Sequence, residues 1–408
     1  MWLSGKRKLT LHARDLDEVL GNFEQDRFLI EWTDQVIKET TKNFPILTDI
    51  FASPQSANKH AEGPLLEDHV RKILMTLYAL VEGRFSLLEV EEFRRMKGYE
   101  GEFEELEETI KERAGMFKVY ALIHDIGKAA TISFSAPEGS KGAEYGFAQS
   151  VAIGWDDFAG DQRFSARKKY DDLYATFAVN RSGQDQKVIQ AEFFREFQIS
   201  ISNHGHARLI FAPELNKVVR ALAKENRLPE NDIDLLEELI AVHMDTAHYF
   251  WGKADPQDYA HFVEYSAGIG QDADDFLDLL QAAAFLDKVC GSWKLSAGGY
   301  WHSCEILTNF LQAEHDYAPW RREAAEERRA KRELEKRREI YRQVGLDGDS
   351  LQDLLGMVPG PDFGKLLLQI QGAIERSELM PDLNAELRPE VVRRIIEARG
   401  LLSKNINC

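Results

Sequence analysis

The chain has 408 residues, an apolar fraction of 44% and a formal net charge of -18. That length accommodates a large core and more than one domain, and no apolar run approaches the ~20 residues needed to cross a bilayer. The acidity argues against a general nucleic-acid coating protein, but not against a nucleotide or nucleic-acid end as substrate, because a metal site supplies its own positive field.

The N-terminus, Met1 to Lys8, is basic but lacks the apolar core of a signal peptide. Cys290, Cys304 and Cys408 are scattered and form no CxxC pair, as expected of reduced thiols in a cytoplasmic protein. Residues 1–44 are expected to form an N-terminal helical extension to a body spanning 45–313. Within that body, Val70, Ile73, Leu74, Leu77, Tyr78 and Val81 fit one helical face after His69. Glu89 to Glu112 is charge-rich and is expected to make a helical hairpin on the surface, one of two insertions (about 89–112 and 133–203).

Tyr120 to Ile123 is an apolar run that ends in His124-Asp125-Ile126-Gly127-Lys128. An imidazole and a carboxylate both suit a divalent or borderline metal ion. Neighbouring residues on a helix point about 100° apart, so both reach one ion only near a helix end, and Gly127 supplies the break. Lys128, one turn after His124, is placed to hold a phosphate as a point charge.

Strand-like alternation is weak and confined to Thr131–Phe134 and Lys187–Ser202. The second insertion, Ser133 to Asn203, is long, irregular and rich in aromatics and glycines, which suits a lid or specificity element as well as a surface decoration. Leu235, Leu236, Leu239, Ile240 and His243 share a helical face, with Asp245 and His248 close behind, and His243 is expected near the end of its helix. Phe276, Leu277, Leu280, Ala284, Asp287 and Val289 lie in a further helical stretch, where an unpaired carboxylate is costly and a buried cation would compensate Asp287. The expected fold is all-α.

Residues 314–342 read as a charged linker helix. Its arginine excess, from Arg321 to Arg342, offers an RNA-backbone contact, although such a run is more often a solvated helix laced with ion pairs. Residues 343–408 read as a small helical C-terminal domain. Its Gly360-Pro361-Asp362-Phe363-Gly364-Lys365 is a turn and not a P-loop: the spacing is one residue short, Leu366 stands where Ser or Thr would touch magnesium, and no strand precedes it. The tryptophans, Trp251 and Trp293 among them, are read as core or docking residues in preference to a base-stacking platform.

Collected in order, the candidate ligands are His69, His124-Asp125, His204 and His206 around Gly205, His243 and Asp287. Taken singly, each has an ordinary structural explanation, such as a cap, a buried ion pair or a core histidine. Their joint order resembles the HD phosphohydrolase superfamily, whose core is His…His-Asp…Asp. That resemblance implies an HD-domain helical bundle in which His69, His124, Asp125 and Asp287 hold one metal, with His206 or His204 and His243 extending the site for a second.

The resemblance narrows with His60-Ala61-Glu62-Gly63-Pro64, Ile123 to Thr131, His204-Gly205-His206, Leu239 to His243 and the tail Leu355 to Leu367. Together these are similar to the HD and C-terminal region of bacterial tRNA nucleotidyltransferases, over roughly residues 45 to 400. The nucleotidyltransferase head of that family needs a glycine-rich turn and paired aspartates, and the first 45 residues are too short for it. What the resemblance implies is therefore a metal-dependent phosphohydrolase acting on nucleotides or RNA ends, with 2′,3′-cyclic phosphodiesterase and phosphatase activity foremost.

Under this expectation Asp125, Lys128 and His206 are catalytic, and His60, Lys128 and Arg208 contact substrate. The cofactor is one or two divalent transition metals (Mn, Ni, Co or Fe, with Mg less favoured), which acidify a water to a pKa of about 7. Two alternatives remain open. One is a nucleotidase or dNTP hydrolase, with the second insertion closing over a free nucleotide. The other is a non-catalytic module gripping tRNA or another RNA through 321–342, whose binding would be steeply salt-dependent and would survive Asp125→Ala.

Overall fold

The computed structural model describes residues 15–148, 161–296, 299–301 and 304–321, with single positions between 323 and 335. Contacts divide the chain into two compact units, 1–322 and 323–408. The expected C-terminal domain at 343–408, with its Pro359-Gly360-Pro361 turn, lies outside the described residues. Among the described residues the fold is all-α: helices carry the chain, and strands are confined to two two-stranded ribbons.

Helices α1 (Leu16–Phe23) and α2 (Arg27–Asn43) start on Asp15 and Asp26, whose carboxylates accept the first orphan N–H groups. Their Leu16, Val19, Leu20, Val36 and Ile37 are buried in the principal core, so the N-terminal helices are part of the bundle. After α3 (Ile46–Phe51) comes a buried loop that leads into α4 (Leu66–Val81). The Asp68 carboxylate accepts the Leu65 N–H at 3.0 Å and fixes the start of α4. One turn into α4, His69 is buried with Val70, Ile73, Leu74 and Leu77.

The stretch 89–112 forms α5 (Glu91–Arg94) and α6 (Glu100–Glu112), and here the surface hairpin is corrected. Phe103, Leu106 and Ile110 recur at helical spacing among the glutamates, and with Phe93 they sit in the principal core. The acidic composition concealed a narrow apolar stripe. Next, α7 (Ala114–Ile123) is buried on all sides through Met116, Phe117 and Val119 to Ile123, as befits a central helix. Two tight turns follow, and the short α8 (Lys128–Thr131) leads out of the bundle.

Strand β1 (Ser133–Ser135) pairs antiparallel with β2 (Ser200–Ser202), Ser133 opposite Ser202, and so closes the second insertion at its base. Between them lie α9 (Asp161–Val179) and α10 (Gln186–Phe197), the latter capped by Asp185. The strand expected over Lys187–Ser202 is thus extended only at its end. Phe134, Phe147, Tyr170, Phe177, Phe193, Phe197 and Ile201 form a separate core for this segment.

The bundle resumes with α11 (Pro213–Glu225) and α12 (Glu230–Phe250), on which Ile233, Leu236, Leu239, Ile240 and His243 line the buried side. His243 lies two turns before the end of α12, which runs on to Phe250. Helices α13 (Pro256–Gly268), α14 (Ala273–Ala284) and α15 (Glu305–Tyr317) complete the bundle. Between α14 and α15, residues Phe285–Gly291 widen into a π-helical turn, followed by the ribbon β3 (Lys294–Ser296) and β4 (Gly299–Trp301). Such π turns re-aim side chains and recur at functional sites; here the turn carries Asp287.

Candidate metal centre

Five distant stretches bring His69, His124, Asp125, His206, His243 and Asp287 into one buried cluster, none more than 3% exposed. His124 caps the C-terminus of α7, and the turn that follows swings Asp125 back beside it, 3.2 Å from its Nε2 to Asp125 Oδ2. Gly127 is right-handed (φ -76°), so its part is not a left-handed turn. A Cβ there would overlap the His206 carbonyl oxygen, and it is this close approach that requires glycine. Gly291 does the same beside His69, whose Cε1 would lie 2.9 Å from an added Cβ.

The four imidazoles share one arrangement. Each Nδ1 faces a backbone carbonyl: His69 that of Gly291 at 2.9 Å, His124 that of Tyr120 at 3.1 Å, His206 that of Asn203 at 2.6 Å, and His243 that of Ile240 at 2.6 Å. The hydrogen therefore sits on Nδ1, and each Nε2 turns inward to two carboxylates. His69 Nε2 lies 3.1 Å from Asp287 Oδ1 and 3.3 Å from His124 Nε2. His206 Nε2 and His243 Nε2 lie 2.9 and 3.7 Å from Asp125 Oδ1. Lone pairs converging on carboxylates repel unless a cation lies among them. Asp125 Oδ1, His206 Nε2 and His243 Nε2 are indeed buried without a hydrogen-bond partner.

These donors fall into two groups that could each hold an ion: His69, His124 and Asp287, and Asp125, His206 and His243. Asp125 stands between them, with Oδ2 toward the first group and Oδ1 toward the second. A third set, His60, Glu62 and His69, also lies close together. There the carbonyl of Gly291 already fixes the hydrogen of His69 Nδ1, which makes that nitrogen a donor and not a ligand.

The electrostatics keep both carboxylates ionised. Burial raises the Asp125 carboxyl, but Lys128, His124 and His206 more than reverse this and hold it well below the usual carboxylate range. At Asp287 burial is likewise overcome, by Lys288, His124 and His69. Burial lowers the His243 imidazole to about 4, which keeps its lone pair available at neutral pH. Burial would also lower His69, but Asp287 and Glu62 push it up to about 9. A cation bound beside Asp287 would take the place of that proton.

Lys128 is buried beside the centre, its Nζ 2.7 Å from Asp125 Oδ2 and 3.3 Å from His60 Nε2. His60 is the most accessible imidazole here, with 18% of its side chain exposed. His204 is exposed and stands outside the cluster, so of the His204/His206 pair only His206 joins it; the αL glycine between them turns the two rings apart. Arg208 is also exposed, and its charge acts on Asp245 and Tyr265. Arg321, the first of the arginines considered for RNA, is engaged by Asp274, Asp278 and Glu314 instead. The remaining arginines of that run are mostly outside the described residues.

Three neighbours had no role in the sequence reading. Glu62 is fully buried between His60 and His69. Lys288 places Nζ 2.6 Å from Asp287 Oδ2. The Tyr120 ring stacks on His124 at 4.8 Å, one turn back on α7. Tyr120 and Lys288 were within reach by spacing, at i-4 and i+1 from a ligand. Glu62 gave no such signal, because only the fold brings its loop onto α4.

Compared with known proteins, the chain matches no family model, no curated protein and no solved structure. Among the described residues no helix is long and apolar enough to cross a membrane.

Proposed function

We propose that the protein is a metal-dependent phosphohydrolase acting on phosphoesters of nucleotides or RNA ends, with 2′,3′-cyclic phosphodiesterase and phosphatase activity foremost. The observation that carries this reading is the common orientation of four imidazoles. Each has Nδ1 on a carbonyl and Nε2 turned toward Asp125 or Asp287. The order of these ligands along the chain, and its resemblance to HD phosphohydrolases, supports it further.

His69, His124 and Asp287 would hold one ion, and His206 and His243 a second, with Asp125 between. Imidazole-rich sites of this kind favour Mn, Fe, Co or Ni over Mg. Bound there, such ions supply Lewis acidity, which acidifies water and draws charge from phosphoryl oxygens. The chain's own groups do the rest. Lys128 Nζ, held by Asp125, His60 and Gln55, would act as a fixed positive charge beside the phosphoryl group. His60, the most accessible of these imidazoles, would contact the substrate at the edge of the centre. Burial of Asp125 and Asp287 excludes bulk water and strengthens each of these interactions.

The test is His124→Ala and Asp125→Ala in the full chain, assayed for metal content and for turnover of cyclic phosphates, nucleoside monophosphates and dNTPs. Both variants are expected to lose metal and turnover while keeping helical circular dichroism. Normal turnover in either would overturn the assignment, and turnover confined to dNTPs in the wild type would move the substrate to free nucleotides.

A further inference from the structure

We propose that Glu62 is a positioning residue that ties the metal ligand His69 and the substrate-side His60 into one hydrogen-bonded unit. This inference rests on the metal-centre reading above and adds to it a residue that neither coordinates the ion nor touches substrate.

The geometry is specific. Glu62 Oε1 accepts from His60 Nδ1 at 2.8 Å and lies 3.0 Å from His69 Nδ1, while Oε2 accepts the backbone N–H of Trp293 at 3.0 Å. Every group facing Glu62 is thus a donor, on both oxygens at once. An ionised carboxylate is the side chain that accepts at both ends. Its burial would be costly without these bonds. A glutamine could keep one oxygen toward the imidazoles but would turn its amide hydrogens on the Trp293 N–H, or the reverse.

Holding the His60 hydrogen on Nδ1, and sharing with the Gly291 carbonyl the one hydrogen of His69 Nδ1, has two consequences. His69 Nε2 is left to face Asp287 and His124, as a ligand must. His60 Nε2 is left as an acceptor for Lys128 Nζ, 3.3 Å away, and Lys128 in turn reaches Asp125. Close polar contacts thus run from Asp125 through Lys128, His60 and Glu62 to His69 and back into the centre. Rotation of Glu62 would therefore loosen a ligand and the phosphate-facing pair together.

The loop that carries Glu62 is itself pinned. A Cβ at Gly63 would overlap the Asp68 carboxylate, so the turn lies directly on the start of α4. On the other side, the buried Gln190 of α10 donates from Nε2 to the carbonyls of Gln55 and His60, both at 3.0 Å. The insertion thereby braces the loop from outside the bundle.

The experiment is Co(II) titration of the full chain and of Glu62→Gln, followed by visible absorbance, with KM and kcat for bis(p-nitrophenyl) phosphate measured in parallel. Glu62→Gln is expected to keep helical circular dichroism, to lose about 10- to 100-fold in Co(II) affinity, and to show an altered d–d band. It is also expected to raise KM through the His60–Lys128 arm. A variant with wild-type affinity and spectrum would overturn the inference and leave the metal centre standing. A wild type that bound no Co(II) would sink the metal centre and this inference with it. Should Glu62→Gln not fold, 15N shifts of labelled histidines in the Zn(II)-loaded wild type decide the matter: His60 and His69 are both expected as Nδ1–H tautomers, and an Nε2–H tautomer at either would refute the role.

Discussion

Replacing Gly127 by alanine probes the centre through one contact. The backbone there is right-handed, with φ -76° and ψ -11°, a conformation alanine adopts freely. On those grounds alone the change would stabilise by about 0.4–1 kcal/mol, because it restricts the unfolded chain. The new methyl, however, would lie 2.9 Å from the His206 carbonyl carbon and 3.1 Å from its Cα, and would overlap the oxygen. That carbonyl is held in turn by the Leu209 N–H at 3.2 Å, so neither side is a flexible side-chain tip. Overpacking of this kind costs about 1–3 kcal/mol, which reverses the sign and leaves a net loss on the order of 1–2 kcal/mol. The displaced His206 would draw its Nε2 away from Asp125 Oδ1, and on the proposed reading an ion bound by Asp125, His206 and His243 would be lost before one bound by His69, His124 and Asp287. Urea unfolding of the metal-free protein and elemental analysis of the loaded protein measure the two effects. Stability equal to or above wild type, together with unchanged metal content, would refute the reasoning.

Two further outcomes follow from side-chain placement. His206→Ala is expected to lose metal and to reduce kcat/KM by more than the ~10–100-fold typical of outer-shell changes, whereas His204→Ala should match wild type in both; equal effects from the two would contradict the assignment of His206 alone to the cluster. Away from the centre, burial with Glu314 alongside pushes the Asp278 carboxyl up to about 7 despite Arg321. An acid whose folded pKa lies above its unfolded value of about 3.9 contributes fully below that value and loses its contribution as pH rises through the folded one. The stability advantage of Asp278→Asn over wild type should therefore be larger at about pH 8 than at about pH 5, and a difference independent of pH in chemical unfolding would contradict this.

The helical architecture was legible because apolar spacing survives in α4, α7, α12 and α14. At α6 the helix was legible but its burial was not, because the stripe of Phe103, Leu106 and Ile110 is outnumbered by glutamates, and at α10 a weak alternation suggested strand while Asp185 caps a helix. For the site, His69, His124, Asp125, His243 and Asp287 are gathered by their joint order and its resemblance to the HD phosphohydrolases, since each alone has an ordinary structural explanation. Spacing could not separate His204 from His206, because the outcome depends on which ring the turn at Gly205 points inward. Nor could it find Glu62, whose partners on α4 and at Trp293 are brought to it only by the folded chain. Gly127 was marked for the right place and the wrong reason.

The pairing of Ser133 with Ser202 has a consequence for how such a chain can diversify. The polypeptide departs from the bundle and comes back at neighbouring positions, so the scaffold experiences the excursion as a narrow stalk. Segments of other length or shape could be grafted onto that stalk, at the loss of the contacts that Arg167 makes with the end of α3 and Lys187 with Glu24. What a replacement would have to restore is the grip of Gln190 on the loop bearing His60. The segment between the strands can thus vary while the buried cluster of His69, His124, Asp125, His206, His243 and Asp287 stays where it is.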